Sequence, residues 1–329
     1  MSLLVTRYLL DGRVNWGVVA GTPPSSPDDL VEIRPLNVDA QSTAELIETI
    51  ESKKATAQQS STIKISANQM LSPITGDSTI ICQGLNYSDH AAEAQHHARK
   101  QNLFFAKASS SITGAFSAIK RPGEVNLLDY EVEFGIVLRR GIDRQVTVTE
   151  AELGSYVAGV VLANDVSARD VMFGASFLQW FQGKSYRTFC PLGPVLCLME
   201  REEVAEVLAN LEIKLWVNGE LRQSATSSQL IFGPAETITH VSGVLDLKQG
   251  DVILTGTPGG VTAAATPKLI EILKTHLLAD SVRREELTAE MVKGRPFLKP
   301  GDVIKATLRD VSTGRALGGM ENAVVADES

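Results

Sequence analysis

Residues 128–138 constrain the fold more than any other stretch of the chain; they run Leu-Asp-Tyr-Glu-Val-Glu-Phe-Gly-Ile-Val-Leu. β-Branched and aromatic residues recur there at every second position, which predicts a β-strand. Because successive side chains of a strand point to opposite faces, Glu131 and Glu133 share one face with Cα atoms about 7 Å apart, and Gly135 is expected to leave open space beside them. Two like charges that close need water or a cation. The pair therefore predicts either an exposed strand face or half of a metal site.

The overall composition narrows the class of protein. A chain of 329 residues can bury a sizeable core, and 43% hydrophobic with 21% charged residues is typical of a globular protein. The net charge of -8 argues against nucleic acid and anionic membrane as partners, and no apolar run approaches the roughly 20 residues of a membrane span. The three cysteines form no CxxC pair, which favours a reducing compartment. We therefore expect a cytoplasmic enzyme or binding protein.

The character of the sequence changes near residue 72. Residues 1–72 contain a predicted hairpin around Asp11-Gly12 and a helix that begins near Ser42. No motif with evident chemistry falls in this part, so we predict a small N-terminal α+β domain with a supporting role. The second predicted domain, residues 73–329, carries all the motifs that indicate chemistry.

Two segments before the central strand carry candidate functional groups. His90 and Glu93 are three residues apart and follow a plausible helix N-cap at Ser88 or Asp89, so a helix would place them on one face within hydrogen-bond reach. A histidine held by a carboxylate is a standard general base, although a solvated surface pair has the same spacing. Lys107 ends an apolar run and is expected either to contact a charged substrate or to extend its ammonium group to solvent.

Three segments after the central strand add further candidates. Asp165 ends an apolar strand and is either a helix N-cap or a ligand; with Glu131 and Glu133 it would complete an all-oxygen set that suits Mg²⁺, Mn²⁺ or Ca²⁺. Lys184 follows aromatic residues, and a lysine in such surroundings needs an anionic partner. The Gly-rich segment 254–261 departs from the GxGxxG spacing of dinucleotide sites, but its backbone N–H groups and Thr257 could hold a carboxylate.

In this order the motifs resemble the fumarylacetoacetate hydrolase family, and the match spans roughly residues 72–325. The matching segments are Gly-Leu-Asn-Tyr-Ser-Asp-His (84–90), Tyr-Glu-Val-Glu (130–133), Asn-Asp-Val-Ser-Ala-Arg-Asp (164–170), Gln-Gly-Lys-Ser (182–185), Val-Asn-Gly-Glu (217–220), Leu-Thr-Gly-Thr-Pro-Gly-Gly-Val (254–261) and Phe-Leu-Lys-Pro-Gly-Asp (297–302). The resemblance implies an α+β, mostly β fold whose mixed strands form a sandwich-like roll or barrel. It also implies a homodimer.

The resemblance assigns roles by matching position. The metal ligands for Mg²⁺ or Mn²⁺ would be Glu131, Glu133 and Asp165. The general-base dyad, on a segment that closes over the substrate, would be His90 and Glu93. The substrate contacts would be Lys184, which faces the substrate, and Thr257, which binds its carboxylate.

The sequence departs from the family pattern at two places. Met172 stands where many members carry a glutamine that contacts the substrate, so the preferred substrate is expected to be less polar. Residues 262–293 are longer than the usual connection and would either cap the site or extend a dimer contact. Within them, residues 268–292 have a helical pattern with Leu269, Ile272 and Leu277 among the residues of one buried face.

The reaction that the resemblance implies is hydrolysis of a C–C bond in a small keto acid, an acylpyruvate-type 2,4-dioxo acid. A metal-stabilised enolate would leave, His90 and Glu93 would activate water, and Lys184 would stabilise negative charge. The alternative is decarboxylation of oxaloacetate or isomerisation of a related dioate, because the same metal and lysine serve those reactions. A metal-binding protein without catalysis is a third hypothesis, against which the presence of both dyad residues argues.

Overall fold

The computed structural model describes residues 2–52, 56–57, 62–88, 101–263 and 266–327. Strand exceeds helix among these residues, and the predicted α+β, mostly β fold is confirmed. The strands are β1 Leu3–Leu10, β2 Arg13–Val19, β3 Leu30–Asn37, β4 Thr56–Ala57, β5 Ile63–Ser66, β6 Met70–Leu71, β7 Ile80–Gly84, β8 Leu103–Lys107, β9 Ile112–Gly114, β10 Ile119–Arg121, β11 Leu128–Asp129, β12 Val132–Leu138, β13 Val157–Asn164, β14 Ser167–Ala168, β15 Cys190–Leu198, β16 Leu211–Val217, β17 Glu220–Thr226, β18 Val252–Leu254, β19 Val303–Asp310 and β20 Arg315–Ala326. The helices are α1 Thr43–Glu51, α2 Leu153–Tyr156, α3 Arg169–Gly174, α4 Trp180–Lys184, α5 Val204–Ala209, α6 Pro234–Ser242, α7 Pro267–Thr275 and α8 Asp280–Met291.

One large mixed sheet runs through the molecule. Its strand order is β4-β3-β2-β1-β15-β13-β12-β18-β7-β8, with β5, β6 and β9 paired off this path. A second sheet has the order β10-β20-β19-β16-β17, and β11 pairs with β14. Strand β1 pairs with β15 in antiparallel register, so strands from residues 1–72 continue the same sheet. The domain boundary at residue 72 stays a prediction.

Strand β12 is buried on both faces, which decides between the two predictions made for it. Phe134 and Ile136 pack in the larger hydrophobic cluster, whereas Val137 packs in a second cluster on the other face. The alternative of an exposed strand face is wrong, because Glu131 is 6% exposed and Glu133 is 0% exposed. Both carboxylates are enclosed by protein.

The open space predicted beside Gly135 does not exist. A Cβ atom at Gly135 would lie 2.8 Å from Val252 Cγ1 and 3.0 Å from Val161 Cγ1. The neighbouring strands β18 and β13 supply these side chains, so the glycine allows close packing in the sheet. The cavity expected from the missing side chain is filled by its neighbours.

The segment that follows the Gly-rich loop forms two helices, α7 and α8. Leu269 and Ile272 of α7 and Leu287 of α8 form a small hydrophobic cluster with Leu127. The prediction that Leu277 is buried is wrong, because α7 ends at Thr275 and Leu277 lies beyond it with 43% exposure. Within the described ranges, no helix has both the length and the apolar character needed to cross a membrane.

Candidate metal centre and active site

Three carboxylates meet where two paired strands adjoin: Glu131 precedes β12, Glu133 lies within it, and Asp165 follows β13. Val132 of β12 is opposite Asn164 of β13, and the backbone N–H of Asp165 donates to the carbonyl oxygen of Glu131 at 2.8 Å. This register brings Asp165 beside Glu131 and Glu133. One candidate ligand oxygen from each of the three side chains lies within 4.8 Å of the others, and all three residues are buried. The structure therefore brings together the three residues predicted as metal ligands.

Cationic side chains contact two of the three carboxylates. Lys184 Nζ lies 2.7 Å from Glu131 Oε2 and 2.6 Å from Asp165 Oδ2. Lys107 Nζ lies 2.5 Å from Asp165 Oδ1, and Arg169 Nη2 lies 2.6 Å from Glu131 Oε1. Each of the four carboxylate oxygens of Glu131 and Asp165 thus contacts a positively charged side chain.

Glu133 has a different environment. Its Oε2 accepts a hydrogen bond from the backbone N–H of Gly256 at 2.7 Å, whereas its Oε1 is buried without a hydrogen-bond partner among the described residues. Burial raises the pKa of Glu133 well above its usual range, and the nearby charges of Asp165 and Glu131 raise it further. A buried carboxylate oxygen with no donor leaves a place for a cation. The three residues fit a hard divalent ion such as Mg²⁺ or Mn²⁺.

The two lysines are members of the buried cluster. Lys107 is 3% exposed, so the alternative in which it extends to solvent is wrong. Burial lowers the pKa of the Lys184 ammonium, but the charges of Asp165 and Glu131 outweigh burial, so its pKa is raised overall. Lys184 Nζ also lies 5.3 Å from the ring centre of Phe105. The anionic partners expected for Lys184 are present, and they are two of the candidate metal ligands.

Sequence reasoning missed two charged residues, Asp129 and Arg169. Asp129 Oδ2 accepts from Arg169 Nε at 2.9 Å, and its Oδ1 accepts from the backbone N–H of Thr262 at 3.0 Å. Burial lowers the pKa of Arg169, but Glu131 and Asp129 outweigh burial and raise it overall. One signal was present in the sequence: Asp129 precedes Glu131 and Glu133 at the same period of two residues. The orientation of Glu131 thus depends on Arg169, which is itself held by Asp129.

Of two predicted substrate contacts, Thr257 has its hydroxyl already hydrogen-bonded within the protein and Met172 is fully buried. The Thr257 hydroxyl donates to the carbonyl oxygen of Val132 at 3.0 Å and accepts from Gln223 Nε2 at 2.8 Å. To donate to a substrate carboxylate, it would have to release Val132. Met172 is 0% exposed and packs against Gly183, so the thioether lies inside the protein beneath α4.

His90 and Glu93, the predicted dyad, lie outside the described residues. The chain that leads to them is firmly anchored. Asn86 Nδ2 donates to the carbonyl oxygen of Thr255 at 2.9 Å, and Asn86 Oδ1 accepts from the backbone N–H of Phe232 at 2.9 Å. Asn86 therefore ties the end of β7 to the start of the Gly-rich segment beside Glu133.

Comparison with known sequences gives a consistent family assignment. The family model described as "Fumarylacetoacetate (FAA) hydrolase C-terminal" matches residues 79–325 of this chain. The chain is 40% identical over 216 residues to a Bos taurus protein named "Oxaloacetate tautomerase FAHD2B, mitochondrial". The aligned region covers 65% of this chain and 67% of the relative. It is 34% identical over 241 residues to a fumarylacetoacetate hydrolase domain-containing protein 2 homolog from Dictyostelium discoideum, which covers 71% of this chain and 69% of the relative.

Solved structures match nearly the whole chain. A fumarylacetoacetate hydrolase from Exiguobacterium antarcticum superimposes with a TM-score of 0.68 at 27% identity, covering 99% of this chain and 100% of the other. A probable 2-hydroxyhepta-2,4-diene-1,7-dioate isomerase from Mycobacterium abscessus gives a TM-score of 0.69 at 26% identity, covering 100% of both chains. Because the family match extends over most of the sequence, this chain belongs to the fumarylacetoacetate hydrolase family.

Proposed function

We propose that the protein is a divalent-metal-dependent enzyme that forms and protonates the enolate of a small 2-oxo acid, with oxaloacetate tautomerisation as its reaction. The observation that carries this proposal is the buried Glu133 oxygen without a donor, set among two further carboxylates and two lysines. The choice of reaction is supported by relatives named as oxaloacetate tautomerases, which are 33–40% identical to this chain over 64–78% of its length.

The charge balance of the site supports an anionic substrate. Counted with Glu133 ionised, as a bound dication would require, three cationic side chains face four carboxylates, which leaves one negative charge in excess. The ion that the three ligands would hold, proposed as Mg²⁺ or Mn²⁺, would supply a Lewis acid that stabilises an enolate oxygen. With that dication bound, the balance becomes positive, which favours a keto acid with one or more carboxylates.

The lysines and the dyad have separate proposed tasks. Keto and enol forms differ in the position of one proton, so the enzyme must move a proton at carbon and stabilise charge at oxygen. Lys184, whose ammonium lies beside Asp165 and Glu131, is the proposed group that stabilises the charge at oxygen. His90, oriented by Glu93, is the proposed group that moves the proton at carbon. Lys107 and Thr257 remain proposed contacts of the substrate, and Met172 shapes the wall behind Lys184.

A second reaction, hydrolysis of the C–C bond of an acylpyruvate, is favoured by the His90 and Glu93 pair. This reaction releases the same kind of enolate but also needs an activated water, which is the task of a histidine–glutamate dyad. Decarboxylation of oxaloacetate would likewise pass through an enolate. Substrate tests therefore decide among reactions that share one site.

The test is an assay of enol-to-keto conversion of oxaloacetate by ultraviolet absorbance, with Mg²⁺ or Mn²⁺ and then with EDTA. We expect acceleration that EDTA removes and that Glu133→Gln abolishes. Parallel assays measure acetylpyruvate cleavage and pyruvate release from oxaloacetate. Metal-dependent cleavage of acetylpyruvate with no tautomerisation would replace the first proposal by the second, and activity that survives EDTA would contradict both.

A cytoplasmic location and a homodimeric state are proposals carried over from the sequence. Several relatives have mitochondrial in their names, so fractionation of cells that express the full-length protein is the appropriate test of location. Light scattering on the purified protein tests the dimer.

A further inference from the structure

A single buried arginine ties the 262–293 insertion to the rest of the molecule. Arg283 of α8 is 0% exposed, and its guanidinium donates hydrogen bonds from all three nitrogens. The acceptors are four backbone carbonyls and one carboxylate: Phe173 O at 2.8 Å, Ala175 O at 2.6 Å, His276 O at 2.7 Å, Leu277 O, and Asp280 Oδ1 at 2.8 Å.

These carbonyls mark the ends of two helices. Phe173 and Ala175 lie at the C-terminal end of α3, and His276 and Leu277 follow the last residue of α7. The last carbonyls of a helix have no partner within it, and the C-terminal end carries partial negative charge that attracts a cation. Arg283, which belongs to α8, therefore caps the C-terminal ends of both α3 and α7 and links these two helices to α8.

Helix α3 connects this set of Arg283 hydrogen bonds, here called the Arg283 clamp, to the proposed metal centre. Its first residue, Arg169, holds Glu131 Oε1 at 2.6 Å. The side chain of Met172, also in α3, fills the space beside Gly183; a Cβ atom added at Gly183 would lie 2.4 Å from Met172 Cγ. The residue after Gly183 is Lys184, so a displacement of α3 would reach both of the cations that contact Glu131.

We infer that Arg283 is a positioning residue and that support of α3 is the task of the 262–293 insertion. By closing the C-terminal end of α3, Arg283 fixes Arg169, which orients the proposed metal ligand Glu131. This role rests on the proposed function, because the groups being positioned are the proposed metal ligands. It differs from both roles left open by the sequence, a cap over the site and a dimer contact.

The experiment compares wild-type protein with Arg283→Met and Arg283→Lys. Methionine keeps most of the apolar stem without any donor, and the single ammonium of lysine cannot serve the ends of two helices. We expect backbone amides of residues 169–184 to exchange with deuterium about tenfold faster in both variants. We also expect the Kd for Mn²⁺ to rise about tenfold, because Arg169 at the start of α3 orients Glu131 and the loss of a residue that supports a metal ligand typically has an effect of that size. Lys274→Met, on the exposed face of α7, is the matched control and should change neither quantity.

The outcomes separate a positioning role from a local one. Unchanged exchange over 169–184 with unchanged Mn²⁺ affinity in a folded Arg283→Met protein would overturn the inference, and so would faster exchange confined to α7 and α8. If Arg283→Met does not fold, Ser176→Ala tests the same clamp, because the Ser176 hydroxyl donates to Asp280. Wild-type protein that binds no Mn²⁺ would refute the proposed function, whereas the exchange data would still decide whether Arg283 holds α3.

Discussion

At the scale of single residues, Lys184 has a double relation to the proposed metal. Its ammonium contacts Glu131 Oε2 and Asp165 Oδ2, at 2.7 and 2.6 Å. An ammonium there relieves the repulsion between carboxylates that a dication would also relieve. Lys184 and the metal therefore compete for the same negative charge, even though the reaction needs both.

Lys184→Met should separate binding from turnover. Without the competing ammonium, we expect Mn²⁺ to bind about tenfold more tightly, because charges at this distance interact strongly in a buried site. We expect kcat to fall by about 10²-fold, the loss typical of a removed charge-stabilising group. Calorimetric titration and steady-state assays measure the two effects. Weaker or unaltered Mn²⁺ binding would show that the lysine does not compete with the ion.

Asp129→Asn tests the contact between Asp129 and Arg169 beside the site. The amide keeps the shape of the side chain but weakens its hold on Arg169, which in turn orients Glu131. We expect the affinity for Mn²⁺ to fall by about tenfold or more. Asp310→Asn is the matched control, since Asp310 is also buried and accepts hydrogen bonds from its own turn. Equal effects of the two substitutions would contradict a specific role for Asp129.

The sequence allowed the carboxylate pair to be predicted but not Arg169, which contacts Glu131. Glu131 and Glu133 are two residues apart on one strand, so their common face follows from strand geometry alone. Arg169 is 38 residues after Glu131, and its contact depends on the pairing of β11 with β14. Nothing local in the sequence specifies that pairing. Long-range contacts of this kind needed the structure.

At the scale of elements, the contact between α3 and α4 sets the position of Lys184. The two helices meet where Gly183 faces Met172 Cγ and the carbonyl oxygen of Ala168. A Cβ atom at Gly183 would lie 2.4 Å from the first and 2.9 Å from the second, so only glycine permits this approach. Lys184, the next residue, is thereby held where its ammonium reaches Asp165 Oδ2 at 2.6 Å.

Gly183→Ala should push the two helices apart. We expect a loss of about 1–3 kcal/mol in the free energy of unfolding, as is typical for overpacking, and at least a tenfold loss of kcat because Lys184 is displaced. Urea unfolding and steady-state assays measure these effects. Gly76→Ala is the control, because a Cβ atom there meets nothing within 4 Å. A fully active, fully stable Gly183→Ala protein would contradict the packing described here.

Local signals predicted some elements well and failed at others. Asn218-Gly219 predicted a hairpin, and the turn between β16 and β17 has φ values of 51° and 82° at these two residues, as a tight hairpin turn requires. By contrast, residues 268–292 contain no glycine or proline, yet the helix is interrupted after Thr275. Arg283 binds the carbonyls exposed at that break, so a tertiary contact stabilises an interruption that the hydrophobic period does not signal.

At the scale of the whole molecule, neighbouring strands of one sheet assemble the site. Glu133 lies within β12, Asp165 follows β13, Gly256 follows β18, and Lys107 ends β8. Because β13, β12, β18, β7 and β8 are consecutive in the sheet, residues far apart in sequence converge on one point. The order of motifs along the chain predicted the family, but the sheet order that joins them is visible only in the fold.

The most direct test of this account is a calorimetric titration of Mn²⁺ into EDTA-treated protein, with wild type and Glu133→Gln compared side by side. Glutamine keeps the hydrogen bond from Gly256 but removes the charge of the oxygen that lacks a donor. We predict one Mn²⁺ bound per chain in the wild type and binding weakened at least about 100-fold in the variant. Equal binding to both proteins, or no binding to the wild type, would contradict a metal centre at Glu131, Glu133 and Asp165.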